Sequence, residues 1–439
     1  MTNAPAQDSS RVPASVWRGT ALQVLGRFWG AGCTLAILFL AQRALGDADF
    51  GRFTFYLALF LWLDTLAGLG TGQVAVQRTA AHPERTAAVL ASARRIRFAA
   101  GLAGVALTAA VAFGTGERDA AWIVLASLYP VTHVLELSAT VFRNQLDWSV
   151  PVKMRSIASA LSLANVAVLH ACGVERPAFF LVGVAAGSAV ANVLLHRAAL
   201  PHLPKPAGPV EPERGLFAEA LPLGLAALCA QTYFYVDNLF VRAWCDDTAL
   251  GHYNVAVRVM SWTIMLAQYT SLTALPWLRR RHLAGELGPA LSQLAPPLFA
   301  LAGLACGALW PWTERLLELF APGFGAAGAS LRWLLGATVA IYAGSILLTA
   351  VVALGRNVAM LWISAAGVVL NVAANFWAVP RLGIEGAGLT TFATEAFVAL
   401  AAAFTLVRLG VGLGPWWRWL GGPAAFAVGA GLSSLLPLG

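Results

Sequence analysis

The chain has 439 residues, 59% hydrophobic and only 11% charged, with a mean hydropathy of +0.70. A soluble chain of this length needs roughly twice that share of charge to cover its surface, so a soluble globular enzyme is excluded. The net charge of +8 reads as membrane topology and contact with anionic lipid head groups, and no nucleic-acid partner is expected.

A bilayer core of about 30 Å takes about 20 helical residues, because backbone polar groups find no water there. The apolar runs predict an all-α polytopic membrane protein with helices near 21–44, 53–75, 98–115, 119–142, 152–171, 176–196, 218–242, 253–276, 291–312, 329–354, 357–378, 385–408 and 416–437. Residues 1–20 are polar and carry no small-residue cleavage site before a short apolar core, so the first run is read as a retained helix behind a cytoplasmic tail. With the N-terminus inside, the cytoplasmic breaks hold nineteen Lys and Arg, from Arg11 and Arg18 through Lys205 to Arg418, against eight on the other side. That asymmetry predicts a cytoplasmic N-terminus in a bacterial inner membrane and places Gly439 outside. Cys33, Cys172, Cys229, Cys245 and Cys306 are scattered without ligand spacing, so neither a disulfide nor a metal site is expected.

An internal repeat organises these helices. LGDADFGRF (45–53) lies over CDDTALGHY (245–253), matching Asp47 with Asp247, Gly51 with Gly251 and Phe53 with Tyr253. LANVAV (163–168) lies over VLNVAA (369–374), and GVERPA (173–178) over GIEGAG (383–388). Odd helices match odd helices, so the halves share one orientation, as parallel transporter repeats do. The expected divisions are an N-terminal tail (1–20), an N-lobe of six helices (21–196), a linker (197–217), a C-lobe of six helices (218–408), and an extra C-terminal helix (409–439). Pro201, Pro204, Pro206, Pro209 and Pro212 make the linker a semi-rigid extended segment.

In LGDADFGRF, YVDNLFVRAW (235–244) running into LGHYNVAVRV (250–259), LFAPGFGAAGASLRWL (319–334), ALGRN (353–357) and LNVAANFWAVPRLGIEGAGLTT (370–391), the chain resembles a known family. It is that of the polysaccharide, or oligosaccharide-lipid, flippases of the multidrug/oligosaccharidyl-lipid/polysaccharide (MOP) exporter superfamily. The resemblance covers residues 20–410. It implies a V-shaped two-lobe transporter that moves a polyprenyl-linked glycan by alternating access. The thirteenth helix departs from the family's usual twelve or fourteen.

Ionisable side chains at membrane depth cost a few kcal/mol even on lenient scales, so they should meet a partner or a wet cavity. Arg27 shares a polar stripe with Gln23, Gly30 and Thr34 that is expected to face a cavity; snorkelling to the head groups is the alternative. Arg258 on the eighth helix, with Asn254 one turn before it, is the second candidate for substrate binding. Flippases of the peptidoglycan precursor, which the chain resembles here, have cavity arginines on comparable helices. Asp237 lies at the depth of Arg258 across a short loop, so an ion pair between them is expected, for structure or for exchange with a pyrophosphate oxygen.

His133 and Glu136, in a polar band with Tyr129, Thr132, Thr140 and Arg143, are candidates to carry a proton or help ligate a cation, or else form an inter-helix contact with Arg143 as a cytoplasmic anchor. Asp64 and Glu395 are the other candidates for coupling by H+ or Na+; no other cofactor is expected. Gly26 with Gly30, Gly183 with Gly187 and Gly303 with Gly307 have the spacing of close helix packing.

No catalytic residues are assigned, because no Ser/His/Asp arrangement, phosphate-cradling loop or HExxH occurs, and the longest outer loop is only 313–328. Three readings compete: a flippase for undecaprenyl-pyrophosphate-linked oligosaccharide working beside glycosyltransferases and a polymerase, a cation-coupled multidrug exporter, and a non-transporting scaffold for glycan assembly. Arginines at membrane depth suit an anionic head group and not a cationic drug, which favours the first.

Overall fold

The computed structural model describes residues 12–204, 213–319 and 323–434, with the side chains of Asp47, Ala48 and Asp247 left out. Arg11, Lys205, Pro206, Pro209, Pro212 and Gly439, the middle of the 319–334 segment, and the match of Asp47 with Asp247 therefore lie outside the described residues.

Among the described residues the regular structure is all helical. Eleven helices are long and apolar enough to cross a membrane: α1 (Ala14–Gly46), α2 (Asp49–Ala81), α3 (Pro83–Gly114), α4 (Ala120–Asn144), α5 (Ser149–Ala171), α6 (Pro177–His202), α7 (Leu216–Trp244), α9 (Leu287–Glu318), α10 (Phe324–Ala353), α11 (Asn357–Leu382) and α12 (Ile384–Arg408). Two further expected spans are helical but fall short of that measure. Helix α8 runs as Asp247–Thr263 and Met265–Leu283, and the Ser, Thr, Gln and Tyr side chains of its middle leave it less apolar than the others. Helix α13 (Gly421–Ser434) has 14 residues, about 21 Å of rise. The expected count of thirteen is therefore approximate. Several helices also outrun their apolar stretch: α3 starts at Pro83 and carries Arg94, Arg95 and Arg97, because a helix does not end where the hydrocarbon does.

The chain divides into two compact units, one spanning Trp17–Gly224 and the other the described residues of Leu225–Gly439 and of Met1–Val16. The boundary falls inside α7. Its first turns belong to the first unit, where a Cβ on Gly224 would come within 2.8 Å of the Leu69 Cα and one on Gly70, at φ 71°, within 2.5 Å of the Ala220 carbonyl. Arg78 secures the same turns, pairing with Glu213 and Glu219 at 2.8 Å each.

Within the first unit α1 lies along α5: Gly26 faces Val152, Gly30 faces Ser159, and the Trp29 indole donates to the Ser156 carbonyl. Helices α5 and α6 meet where Gly187 leaves no room for a Cβ over Ser162, and the Asn165 amide donates to the Gly183 carbonyl at 2.8 Å. In the second unit a Cβ on Gly303 or Gly307 would lie 2.1 Å from the carbonyl oxygen of Gly422 or Phe426, so α13 runs alongside the later half of α9, in the same direction. All three glycine pairs thus sit at helix contacts. The repeat's aromatic positions, Phe53 and Tyr253, are both fully buried.

Candidate functional site

In the second unit four helices converge on Asp237. This residue opens the last segment of α7, Asp237–Trp244, just after a break at Val236. Its carboxylate, 2% exposed, accepts from the Tyr253 hydroxyl of α8 at 2.9 Å, the Asn375 amide of α11 at 2.7 Å and the Thr391 hydroxyl of α12 at 2.6 Å. Asn371, one turn before Asn375, accepts from it through its side-chain and backbone oxygens and donates to Thr394. Asn375 Oδ1 is buried without a partner.

The expected pair of Asp237 with Arg258 does not form. Tyr253 and Arg258 are five residues apart on α8, about 140° around the axis, so the face that brings Tyr253 to Asp237 turns Arg258 away. Arg258 is exposed, with Asn254 beside it on the same face, and makes no hydrogen bond or ion pair among the described residues.

Asp237 is therefore a buried carboxylate whose hydrogen-bond donors among the described residues are all neutral. The surrounding oxygens, from the Asn375 and Asn371 amides and the Thr391 hydroxyl, are hard ligands suited to an alkali cation, and the unpartnered Asn375 Oδ1 fits such a role. Glu395 lies one turn beyond Thr391 on α12, near Tyr233, buried and without a hydrogen bond or ion pair among the described residues. No group of three His, Cys, Asp or Glu able to hold a metal is found among the described residues.

In the first unit the expected partnership of His133 and Glu136 is divided. Helix α4 changes to a 3₁₀ helix over His133–Ala139, after Pro130. There His133 Nδ1 meets the Asp64 carboxylate of α2 at 2.9 Å. Glu136 instead pairs with Arg143 at 3.4 Å and Arg97 of α3 at 3.9 Å, and Arg97 also donates to the Thr71 hydroxyl and the His133 carbonyl. Arg143 is thus part of the network and not a plain head-group anchor. Glu136 is thus counter-ion to two guanidinium groups, whereas Asp64 takes His133.

Arg27 on α1 is exposed and makes no hydrogen bond or ion pair among the described residues. Its expected stripe is only partly formed: Thr34 is exposed, but Gln23 is buried and its amide turns back to the Gly19 carbonyl at 3.3 Å. Val16, Thr20 and Gln23 are buried on the same face of α1, and exposure on that face begins with Arg27 and returns at Thr34.

The residues missed from sequence are Asn371, Asn375 and Thr391. A signal was present, since an Asn pair four apart inside an apolar run marks one polar helix face at membrane depth.

A family profile described as polysaccharide biosynthesis protein matches residues 16–282. No curated protein sequence matches the chain. Among solved structures, the Vibrio cholerae MATE transporter VcmN aligns with TM-score 0.74 at 13% identity, over 90% of this chain and 97% of its own. A MATE structure in the straight conformation gives 0.74 at 14%, over 93% and 99%. A MOP superfamily transporter from Pyrococcus furiosus, described by a binding pocket of reversed polarity, gives 0.71 at 14%, over 94% and 99%. At such identity the likeness carries the fold alone. The chain is a multi-pass membrane protein with the MOP-superfamily fold, and it belongs to the polysaccharide biosynthesis protein family.

Proposed function

We propose that the protein is a flippase that carries a polyprenyl (undecaprenyl) pyrophosphate-linked oligosaccharide across the bacterial inner membrane by alternating access. It would work with its N-terminus in the cytoplasm, beside the glycosyltransferases that build the glycan and the polymerase that extends it. The observation that carries this reading is a pair of exposed arginines without acidic partners among the described residues, Arg27 on α1 and Arg258 on α8. A planar guanidinium takes a pyrophosphate oxygen pair in bidentate fashion and replaces water lost on entry. Asn254, exposed one turn from Arg258, adds a donor, whereas Gln23 is a helix-packing residue in this reading.

Coupling is assigned to Asp237. A proton or Na+ bound there would neutralise the buried carboxylate, held by Asn375, Asn371 and Thr391. Glu395, and Asp64 with His133, are the further ionisable groups of that kind. A multidrug exporter shares the fold, but a cationic drug needs exposed acid where these helices present arginine.

The test is surface glycan in a deletion strain complemented at matched protein levels. Arg27→Ala and Arg258→Ala should each lower it strongly, and Arg27→Lys should fall between Arg27→Ala and wild type, because charge is kept and the fork is lost. Full activity of the Arg27→Ala, Arg258→Ala double variant would overturn the mechanism and favour the scaffold reading.

A further inference from the structure

Helices α1 and α5 of the first unit run in the same direction, since their contacts advance together: Gly26 meets Val152 and Gly30 meets Ser159, with the Trp29 indole on the Ser156 carbonyl between them. Arg27 and Arg155 flank this contact and lie within one turn, about 5 Å, of each other in depth. Rotation about the two axes puts them on the same flank. Arg27 is about 100° ahead of Gly26, whereas Arg155 is about 60° behind Val152 and about 100° behind Ser156. On two parallel helices in contact, forward rotation on one and backward rotation on the other lead to the same side.

That side is not the lipid side. On α1 the face of Arg27 is buried just before it, at Thr20 and Gln23, and the exposed Leu25 and Phe39 stand more than about 100° around. On α5 the exposed Lys153 and Val168 lie about 140° or more from Arg155. Lys153 can snorkel to head groups there. Arg155 instead faces protein, because its charge acts through space on the Glu136 carboxylate of α4.

Glu136 is already taken by Arg143 and Arg97, and Asp64 by His133. The Arg155 guanidinium is left over: the residue is exposed, and its side chain forms no hydrogen bond or salt bridge among the described residues. A surplus guanidinium on a protein-facing flank at membrane depth is costly until an anion meets it.

Taking the flippase reading above as its basis, we propose that Arg155 is a further substrate-binding residue, which forms with Arg27 a two-arginine clamp on the pyrophosphate within the first unit alone. Axes of packed helices lie about 8–10 Å apart, a gap that two long side chains leaning to one flank close on a shared ligand. Each planar fork takes the oxygens of one phosphorus, so the clamp distinguishes two phosphates from one.

The test uses the full-length protein in lipid nanodiscs and two probes, undecaprenyl pyrophosphate and undecaprenyl monophosphate. Wild type should bind the pyrophosphate more tightly. Arg155→Gln should weaken pyrophosphate binding at least tenfold and monophosphate binding less than threefold, and Lys153→Gln, on the far flank, should stay within twofold of wild type for both. Arg155→Lys keeps the charge that Glu136 senses and loses the fork, so its preference for pyrophosphate should fall between wild type and Arg155→Gln. Wild-type preference in Arg155→Gln or Arg155→Lys, or an equal loss for the two lipids, would make Arg155 a counter-charge to Glu136 and overturn the proposal. Failure of wild type to bind either lipid would instead overturn the flippase reading, and this inference with it.

Discussion

Replacing Asp237 by Leu removes the acceptor shared by three buried donors, but the donors do not lose equally. The Thr391 hydroxyl keeps the Ala387 carbonyl at 3.1 Å, and the Asn375 amide keeps Asn371 oxygens at 3.0 and 3.1 Å. Tyr253, 1% exposed, is left with the Thr391 oxygen at 3.5 Å, outside good hydrogen-bond range. The expected penalty is one orphaned buried hydroxyl, about 1–3 kcal/mol, offset in part by relief of the buried charge. Tyr253→Phe in the wild-type background removes a hydrogen bond to a charged acceptor, about 1.5–3 kcal/mol. In the Asp237→Leu background the same change should cost almost nothing, since the hydroxyl it deletes is already orphaned. The double variant should therefore be more stable than additivity predicts by about 1.5–3 kcal/mol. Reversible unfolding of purified protein in mixed detergent micelles measures the cycle. Additivity within about 0.5 kcal/mol would refute the shared node. Exchanging the charges, Asp237→Arg with Arg258→Asp, should rescue nothing, and recovery of stability there would reinstate the direct ion pair.

Gly307→Leu should drive α13 off α9, at about 1–3 kcal/mol, because the new Cβ meets the Phe426 carbonyl and not a movable side chain. Cysteines at Trp312 and Ser433, hydrogen-bonded at 2.6 Å in the native chain, should then fail to cross-link, and efficient cross-linking would refute the docking. Glu136→Gln should lower the thermal midpoint more than Asp64→Asn, since it leaves Arg97 and Arg143 facing each other; their partial exposure limits the loss to about 1–2 kcal/mol. Reporter fusions after Arg97, Arg155, Arg214 and Arg281 should report cytoplasm and those after Arg118 and Asp247 periplasm, and one reversed pair would break the parallel-repeat topology.

Hydropathy determined from sequence alone that this chain crosses a membrane many times, because every span must close its own backbone hydrogen bonds and so appears as a local apolar run. The glycine pairs at 26/30, 183/187 and 303/307 were legible for a similar reason: absence of a side chain is a local property, and each pair sits at a helix contact. The same local logic found Arg27, Arg258 and Asp237 as residues out of place in hydrocarbon. Their partners were not legible. Asp237 draws donors from positions 253, 375 and 391, and nothing in the linear spacing says which face of four helices turns toward a common point. Depth matched Asp237 to Arg258, but rotation about the axis of α8 gave the contact to Tyr253 instead. The division of His133 from Glu136 had the same origin, since Asp64 on α2 and Arg97 on α3 compete for groups that lie side by side in sequence. Sequence thus sets which residues are costly in a bilayer, whereas only the packing of the helices decides how each is compensated, because the partners come from other helices: those of Asp237 lie 16, 138 and 154 residues along the chain.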